Sequence, residues 1–498
     1  MDSTARASYD AIIIGSGLGG LACGYILAKN GMKVCVLERN AQEGGCLQSF
    51  RRNGVVFDTG FHYVGGLDEG QPLYRLFRYF GLLDLPWQRM DEAAFDEVVI
   101  DEKTYAFANG YERFVDTLAQ EFPHQRRQLS AYAAFLEEVG NHLFDALKPE
   151  GADDLFTTSL FTRSAWAFLN ETIDDPLLRR VLSGTSLKME LHADTLPLYV
   201  FAQINSSFIR SAWRLKGGGS RIAGRMAQQI RSMGGEVRTR SEVTRLTESG
   251  GRLSTVEVNG EERLTAAWII SDLHPACTLQ LLDETKYVRR IYRNRIASLE
   301  NTFGMFTASL RLKPDCLSYR NRNLYLHDHQ SDLWHYTPGE ACPKVVLVSQ
   351  YVPEDGKNCT PAIDLLTPMP WSEVAQWKDC PVGCRGEAYE QVKTRWTEMC
   401  IDRADAHIPG LRDSIESVYA STPLTYHSYL KTPEGSAYGI RKDCNRPMYT
   451  VLTPATPLPN LLLTGQNLNL HGILGVSITA FFTCAGILGW ETVKKLPE

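Results

Sequence analysis

A glycine-rich turn near the start of the chain constrains the fold more than any other feature. Tyr9–Ile14 is an apolar run that predicts a buried parallel strand, and Gly15-Ser16-Gly17-Leu18-Gly19-Gly20 follows it directly. In this pattern the first glycine permits a tight turn, the second a close approach to a pyrophosphate, and the last close packing of helix on strand. Leu18–Asn30 predicts that helix, whose first N–H groups face the phosphates.

An acidic residue after a second strand completes the pattern. Met32–Leu37 predicts another buried strand, and Glu38 stands at its end. A carboxylate at this place hydrogen-bonds the ribose hydroxyls of an adenosine and repels a 2′-phosphate, which disfavours NADP. The sequence therefore predicts an adenine dinucleotide site in a Rossmann-type α/β domain. The pattern alone does not distinguish NAD from FAD.

The length of the chain predicts more than one domain. At 498 residues it exceeds the roughly 250–300 at which a single core stops growing. Alternating strand and helix patterns are clearest at both ends and near the middle. We predict an α/β fold with a discontinuous Rossmann-type dinucleotide-binding domain in segments 1–90, 211–275 and 450–498, which the motifs described below identify as FAD-binding. The intervening segments, 91–210 and 276–449, are predicted to form a mixed α+β substrate-binding domain.

Composition excludes several classes of protein. A net charge of −6 argues against a nucleic-acid partner, which calls for a basic face. The twelve cysteines are scattered without metal-ligand spacing, so we expect reduced thiols, no metal site and a cytoplasmic location. No signal-type segment is visible at the N-terminus. Gly472–Trp490 is apolar, but its glycines and hydroxyl residues predict a buried loop and helix instead of a membrane span.

Further motifs distinguish the dinucleotide. Gly44-Gly45-Cys46 and then Phe57-Asp58-Thr59-Gly60-Phe61-His62-Tyr63 follow Glu38-Arg39. With these motifs the chain resembles the flavin amine oxidase–phytoene desaturase superfamily. Three later segments are similar to that superfamily as well: Gly217–Ser220 with Glu236–Leu246, Leu461–Thr464 with Gly465-Gln466, and Gly472–Ala480. The resemblance implies FAD as the cofactor.

The turn motif and the resemblance together predict the cofactor contacts. Val243 is expected over the adenine, and Gly465-Gln466 at the ribityl chain. A helix N-terminus at Gly475-Val476-Ser477 is expected to stabilise negative charge on reduced flavin. The full set of predicted FAD contacts is Gly15, Ser16, Gly17, Leu18, Gly19, Gly20, Glu38, Arg39, Gly44, Gly45, Cys46, Gly60, Phe61, His62, Val243, Gly465, Gln466, Gly475, Val476 and Ser477.

Within the superfamily, the chain is most similar to the retinol saturase and carotenoid isomerase branch. The similarity is carried by Gly44-Gly45-Cys46, Asp58–Gly65 and Thr464-Gly465-Gln466, whereas amine oxidases usually have arginine where Cys46 stands. It implies an FAD-dependent oxidoreductase that saturates, desaturates or isomerises carbon–carbon double bonds of an apolar polyene such as a carotenoid or retinoid. Unlike the animal saturases, this sequence shows no secretory or membrane-targeting N-terminus, which leaves compartment and substrate open. A second dinucleotide fingerprint is not visible, so the electron donor or acceptor is external and unidentified.

Two residues are candidates for catalysis. His62 and Tyr63 follow the flavin-contacting loop and are predicted to face the substrate, where a histidine acts as a general acid. The alternative is a hydrogen-bonded histidine that only fixes the loop, and the same alternative applies to His471. For Cys46 we favour a small residue packed on the pyrophosphate over a redox thiol, and for Asp58 a structural role over that of a base.

Two other functions remain open. One is an amine or amino-acid oxidase, which would release peroxide with amines. The other is a flavin-binding accessory or membrane-peripheral protein without turnover. An apolar substrate also favours peripheral contact with a membrane through an exposed apolar patch.

Overall fold

The computed structural model describes residues 8–144, 155–329, 332–335, 342–354 and 356–493. The strands are β1 (Ser8–Ile14), β2 (Val34–Leu37), β3 (Ser49–Arg52), β4 (Val55–Asp58), β5 (Val64–Gly65), β6 (Trp87–Arg89), β7 (Asp96–Ile100), β8 (Lys103–Phe107), β9 (Ala212–Leu215), β10 (Glu236–Arg238), β11 (Val243–Ser249), β12 (Arg252–Val258), β13 (Glu262–Ser271), β14 (Gly304–Leu312), β15 (Asn323–His327), β16 (Val345–Gln350), β17 (Ala362–Met369), β18 (Ile415–Ser421) and β19 (Leu461–Leu463).

The helices are α1 (Leu18–Lys29), α2 (Pro72–Phe80), α3 (Tyr111–Glu121), α4 (Arg126–Asn141), α5 (Leu155–Phe161), α6 (Ala165–Thr172), α7 (Pro176–Leu182), α8 (Leu198–Arg210), α9 (Ser220–Ser232), α10 (Pro275–Gln280), α11 (Arg290–Ala297), α12 (Glu387–Asp405), α13 (Leu411–Ser414), α14 (Pro423–Leu430), α15 (Pro447–Thr450), α16 (Gly472–Leu488) and α17 (Trp490–Val493).

The first large sheet has the order β10-β2-β1-β13-β12-β11, with β19 also paired to β13. Strands β10, β2, β1, β13 and β19 run parallel, while β12 and β11 extend the sheet antiparallel. Every residue of β2 is buried, as is typical of a strand covered on both faces. Helices α1, α9 and α16 contribute to the core on one face. The carboxyl ends of the parallel strands therefore meet at one edge, where ligands bind in such folds.

The second large sheet has the order β18-β14-β17-β16-β15-β7-β8 and is antiparallel except for the parallel pair β15 and β7. Side chains alternate between its faces, as expected for a pleated strand. Val98 packs into the core formed with α3, α4 and α8, whereas Val99 packs into a separate core with Trp396 of α12. The strands of the two large sheets fall in different predicted segments, but the exact domain division stays a prediction.

The apolar segment near the C-terminus forms α16, and most of that helix is buried against α1 and the first sheet. The prediction of a buried helix at this place is therefore confirmed. Across the described ranges, no helix combines the length and apolar character that crossing a bilayer requires.

Candidate functional site

A cavity of about 580 Å³ extends from the glycine-rich turn to the second large sheet. Its first end is bordered by the turn after β1 and by Glu38 after β2. Its far end is bordered by Phe208, Leu347 and Leu366, which are apolar. Of the predicted cofactor residues, those that line this cavity are Gly15, Ser16, Gly17, Leu18, Gly19, Glu38, Arg39, Gly44, Gly45, Cys46, Gly60, Phe61, His62, Val243, Gln466 and Val476.

The glycines of the turn are required by backbone shape and by packing. Gly15 in the turn has a φ of +94°, and Gly44 in the following Gly44-Gly45-Cys46 motif has a φ of +119°. Residues other than glycine rarely adopt this backbone conformation. A side chain on Gly20 would collide with the carbonyl oxygen of Gly15, so α1 packs against β1 only because this residue is glycine. Gly20 itself does not border the cavity.

The Glu38 carboxylate is buried and held at the cavity wall by three hydrogen bonds. Its Oε2 accepts from the backbone N–H of Ser16 at 3.2 Å and from the Ser16 hydroxyl at 2.7 Å. Its Oε1 accepts from the backbone N–H of Asn40 at 2.8 Å. The carboxylate is therefore fixed where the ribose of a dinucleotide was predicted to bind.

Asp272 was not among the predicted residues; it follows β13, and its carboxyl lies against the glycine turn. A side chain on Gly17, Gly19 or Gly465 would collide with the Asp272 carboxyl. Burial raises the pKa of Asp272 to about 7, with a smaller contribution from the Glu38 charge, although a hydrogen bond from the Gly20 N–H opposes the shift. A carboxyl that is neutral part of the time can donate to a phosphate oxygen, so this cradle fits a pyrophosphate.

The helix near the C-terminus begins earlier than predicted. α16 starts at Gly472, after His471 in an extended conformation, and not at Gly475-Val476-Ser477. Gly472 has a φ of +76°, so the chain already turns there. The free N–H groups of the first turn therefore belong to residues 472–474, which all border the cavity. Of the predicted residues in this region, Gly465, Gly475 and Ser477 do not border it.

A group of hydrogen-bonded polar residues lies at the far end of the cavity. The Tyr63 hydroxyl donates to Asp96 Oδ2 at 2.9 Å and is 2.7 Å from the hydroxyl of Tyr325. Lys188 Nζ donates to the same Asp96 oxygen at 2.8 Å. Tyr63, Lys188 and Tyr325 all line the cavity. Of these four residues, only Tyr63 was predicted, although a lysine between Leu187 and Met189 was a weak signal.

Three histidines line the cavity, and the two that were considered for a functional role, His62 and His471, are neutral at ordinary pH. Burial, with a smaller effect of the Arg214 charge, lowers the pKa of His62 to about 4, and its Nδ1 lies 3.8 Å from Asp364 Oδ2. Burial also lowers the pKa of His471 to about 4. The His471 Nε2 is 2.9 Å from the Lys188 carbonyl oxygen, so this nitrogen carries the proton. At neutral pH neither ring carries the extra proton that a general acid gives away.

Cys46 and Asp58 have surroundings that suit supporting roles. Burial raises the pKa of the Cys46 thiol to about 11, so it remains an unreactive thiol at the cavity wall. Asp58 Oδ1 accepts from the Gly219 N–H at 2.7 Å and from the Ser49 hydroxyl at 2.8 Å. Asp58 therefore ties its loop to the turn before α9, outside the cavity.

Comparisons with known proteins agree with these features. The family model described as "Flavin containing amine oxidoreductase" matches residues 18–277, more than half of the chain. The all-trans-retinol 13,14-reductase of Danio rerio is 28% identical over 96% of this chain and 86% of its own length. The chloroplastic prolycopene isomerase 2 of an Oncidium hybrid cultivar is 22% identical, over 98% and 85% respectively.

A solved structure supports the fold. Cyclohexylamine oxidase from Brevibacterium oxydans superposes with a TM-score of 0.61 at 17% identity, over 98% of this chain and all of that one (100%). At this identity the likeness shows the fold alone. The predicted α/β class with a Rossmann-type domain is thereby confirmed.

Proposed function

Since this chain belongs to the flavin containing amine oxidoreductase family, we propose that it binds FAD and acts on carbon–carbon double bonds of an apolar polyene. The family makes it a flavin-dependent oxidoreductase, and its relatives confirm the predicted retinol saturase and carotenoid isomerase branch. Both relatives are named for polyene substrates. A retinoid or a carotenoid is the substrate class that we propose here.

The shape and lining of this cavity carry the proposal. One end offers glycine backbone, the N-terminus of α1 and the Glu38 carboxylate, which suit a dinucleotide. The other end is walled by Phe208, Leu347 and Leu366, which suit an apolar chain. Because both ends belong to one cavity, a substrate in the apolar end would reach the reactive end of the cofactor.

The protein's own residues would bind and position the reactants. Ser16 and Glu38 would hold the adenosine ribose, and the N–H groups of α1 the phosphates. The first turn of α16 would place N–H groups near the flavin ring. Bound FAD would supply hydride exchange at carbon. The apolar wall would exclude water from that chemistry.

An anaerobic turnover experiment tests the proposal. The purified flavoprotein is reduced without oxygen and mixed with a panel of retinoids and carotenoids. For saturation, we expect the flavin to be reoxidised and the product to be heavier by two hydrogens. For isomerisation, we expect a product of unchanged mass. The same mixtures without reductant provide the control. Bound flavin that no polyene oxidises, with every polyene recovered unchanged, would support a flavin-binding protein without turnover.

An amine oxidase is the second candidate, because an amine oxidase shares the fold. Peroxide release with a panel of amines, and none of the polyene products, would favour it over our proposal. Cys46 at the cavity wall argues against it, since amine oxidases usually have arginine at this place.

A further inference from the structure

The far end of the cavity contains a buried cation. The Lys188 ammonium and the Asp96 carboxylate lie 2.8 Å apart, and their side chains are 6% and 0% exposed. Lys188 Nζ lies 4.3 Å from the centre of the Phe208 ring and 5.5 Å from that of Tyr63. Taking such a pair out of water costs free energy, and two apolar residues would often serve stability as well. The pair is therefore better explained by a chemical role than by stability.

Neighbouring groups fix the Asp96 carboxylate. Its Oδ2 accepts from Lys188 and from Tyr63, and its Oδ1 accepts from the Asn323 amide at 2.9 Å. Arg214 in turn donates to the Asn323 side-chain oxygen at 2.7 Å. Asp96 does not border the cavity, so it holds Lys188 from behind. Over the parts of the chain that the structure describes, no second oxygen accepts a hydrogen bond from Lys188 Nζ. Two of the three N–H bonds of the ammonium therefore have no oxygen acceptor.

The cavity-facing groups of this cluster differ in acidity. Burial lowers the pKa of Lys188 below its ordinary value, although Asp96 opposes the shift. Burial and the Asp96 charge raise the pKa of Tyr63 well above its ordinary value, and burial does the same for Tyr325. The ammonium is therefore a better acid than an ordinary lysine, while both phenols retain their protons. His62 and His471 carry no extra proton at neutral pH, as shown above.

We propose that Lys188, held by Asp96 and Tyr63, donates the proton to a substrate carbon when the double bond is saturated. The inference rests on the proposed function. The π bond of the substrate breaks, one carbon receives a hydride from flavin reduced by an external reductant, and the other forms a C–H bond with the Lys188 proton. Lys188 is left as a neutral amine and regains its proton from solvent. Tyr63 and Asp96 are positioning residues.

Two substitutions test the proposal. Lys188→Met removes the acid, and Lys188→Arg keeps a positive charge but cannot give up its proton at the pH of the assay. A general acid contributes about 100-fold or more, so reoxidation of the reduced flavin by polyene should slow by at least about 100-fold in both variants. Equilibrium binding of the polyene and of FAD, measured by fluorescence quenching, should change much less. Lys393→Met, on α12, is the matched control and should react at the wild-type rate.

A pH profile adds a readout that a structural role would not move. The wild-type rate should fall as pH rises through the Lys188 pKa, because only the ammonium donates. Lys188→Arg should lose that dependence.

Lys188→Met leaves the Asp96 carboxylate buried without its cation and can impair folding. The double variant Lys188→Met/Asp96→Asn removes both charges and should show the same loss of rate. If the wild-type protein saturates a polyene and these variants do so at an undiminished rate, this inference is overturned. The proposed function would then still stand. A product of unchanged mass would overturn it too. If no polyene reoxidises the wild-type flavin and none is isomerised, the proposed function itself fails.

Discussion

Replacing Asp272 by asparagine keeps the shape of the side chain above the glycine turn and removes its charge. Burial raises the pKa of Asp272 from its ordinary 3.8 to about 7. Because the folded pKa lies above the unfolded one, the charged form opposes folding increasingly as pH rises from 3.8 to 7, and fully above 7. At about 1.4 kcal/mol for each pKa unit, the difference amounts to at most about 4 kcal/mol.

Solvent in the adjoining cavity screens this carboxyl, so we expect Asp272→Asn to stabilise the flavin-free protein by about 2 kcal/mol at pH 8.5. The gain should shrink to less than half of that at pH 5. Urea unfolding at both pH values measures it, with the exposed Asp379→Asn as control. Equal stability of wild type and Asp272→Asn at both pH values would refute the reasoning.

The same carboxyl should couple FAD binding to proton uptake, because phosphates near Asp272 favour its neutral form. Calorimetric titration in buffers of different ionisation enthalpy should show protons taken up by wild type at pH 8 and not by Asp272→Asn. Wild-type affinity should also fall above pH 7. Identical proton uptake in the two proteins would mean that the carboxyl does not face the phosphates.

Three further substitutions test other parts of the site and the core. Glu38→Gln removes a charged acceptor and should weaken FAD binding by about tenfold or more in calorimetric titration; unchanged affinity would place the ribose elsewhere. Val476→Glu adds a negative charge at the cavity wall and should lower the reduction potential of the bound flavin, with Val476→Gln as control. An unchanged potential would mean that α16 does not face the ring. Trp396→Ala, in a fully buried site, should cost about 3–5 kcal/mol in urea unfolding. FAD content per folded chain should stay the same, and a loss of flavin would link that core to the site.

Features encoded by local sequence were predictable. The strand predicted at Tyr9–Ile14 spans Ser8–Ile14, and the helix predicted at Leu18–Asn30 spans Leu18–Lys29. Glycines with positive φ and buried apolar strands leave a direct pattern in the chain. Glu38 was predicted at a dinucleotide site from the same short segment, and it lies at the cavity wall.

Features that depend on distant strand pairing were not predictable. Asp96 meets Asn323 only because β7 pairs with β15, and it meets Lys188 only because the short 3-10 turn Ser186–Lys188 packs beside these strands. Asp272 reaches the glycine turn because β13 pairs with β1 across more than two hundred residues. The start of α16 was misplaced because His471 makes no side-chain cap bond and several glycines leave the boundary unmarked.

Cofactor identity is the central claim, and the stoichiometry of released flavin tests it most directly. The purified protein is denatured, and the released small molecules are separated and identified by mass. We predict FAD at about one per chain, either as purified or after reconstitution of the flavin-free protein. Failure to retain any flavin after incubation with excess FAD, in a protein that is folded by circular dichroism, would contradict the account.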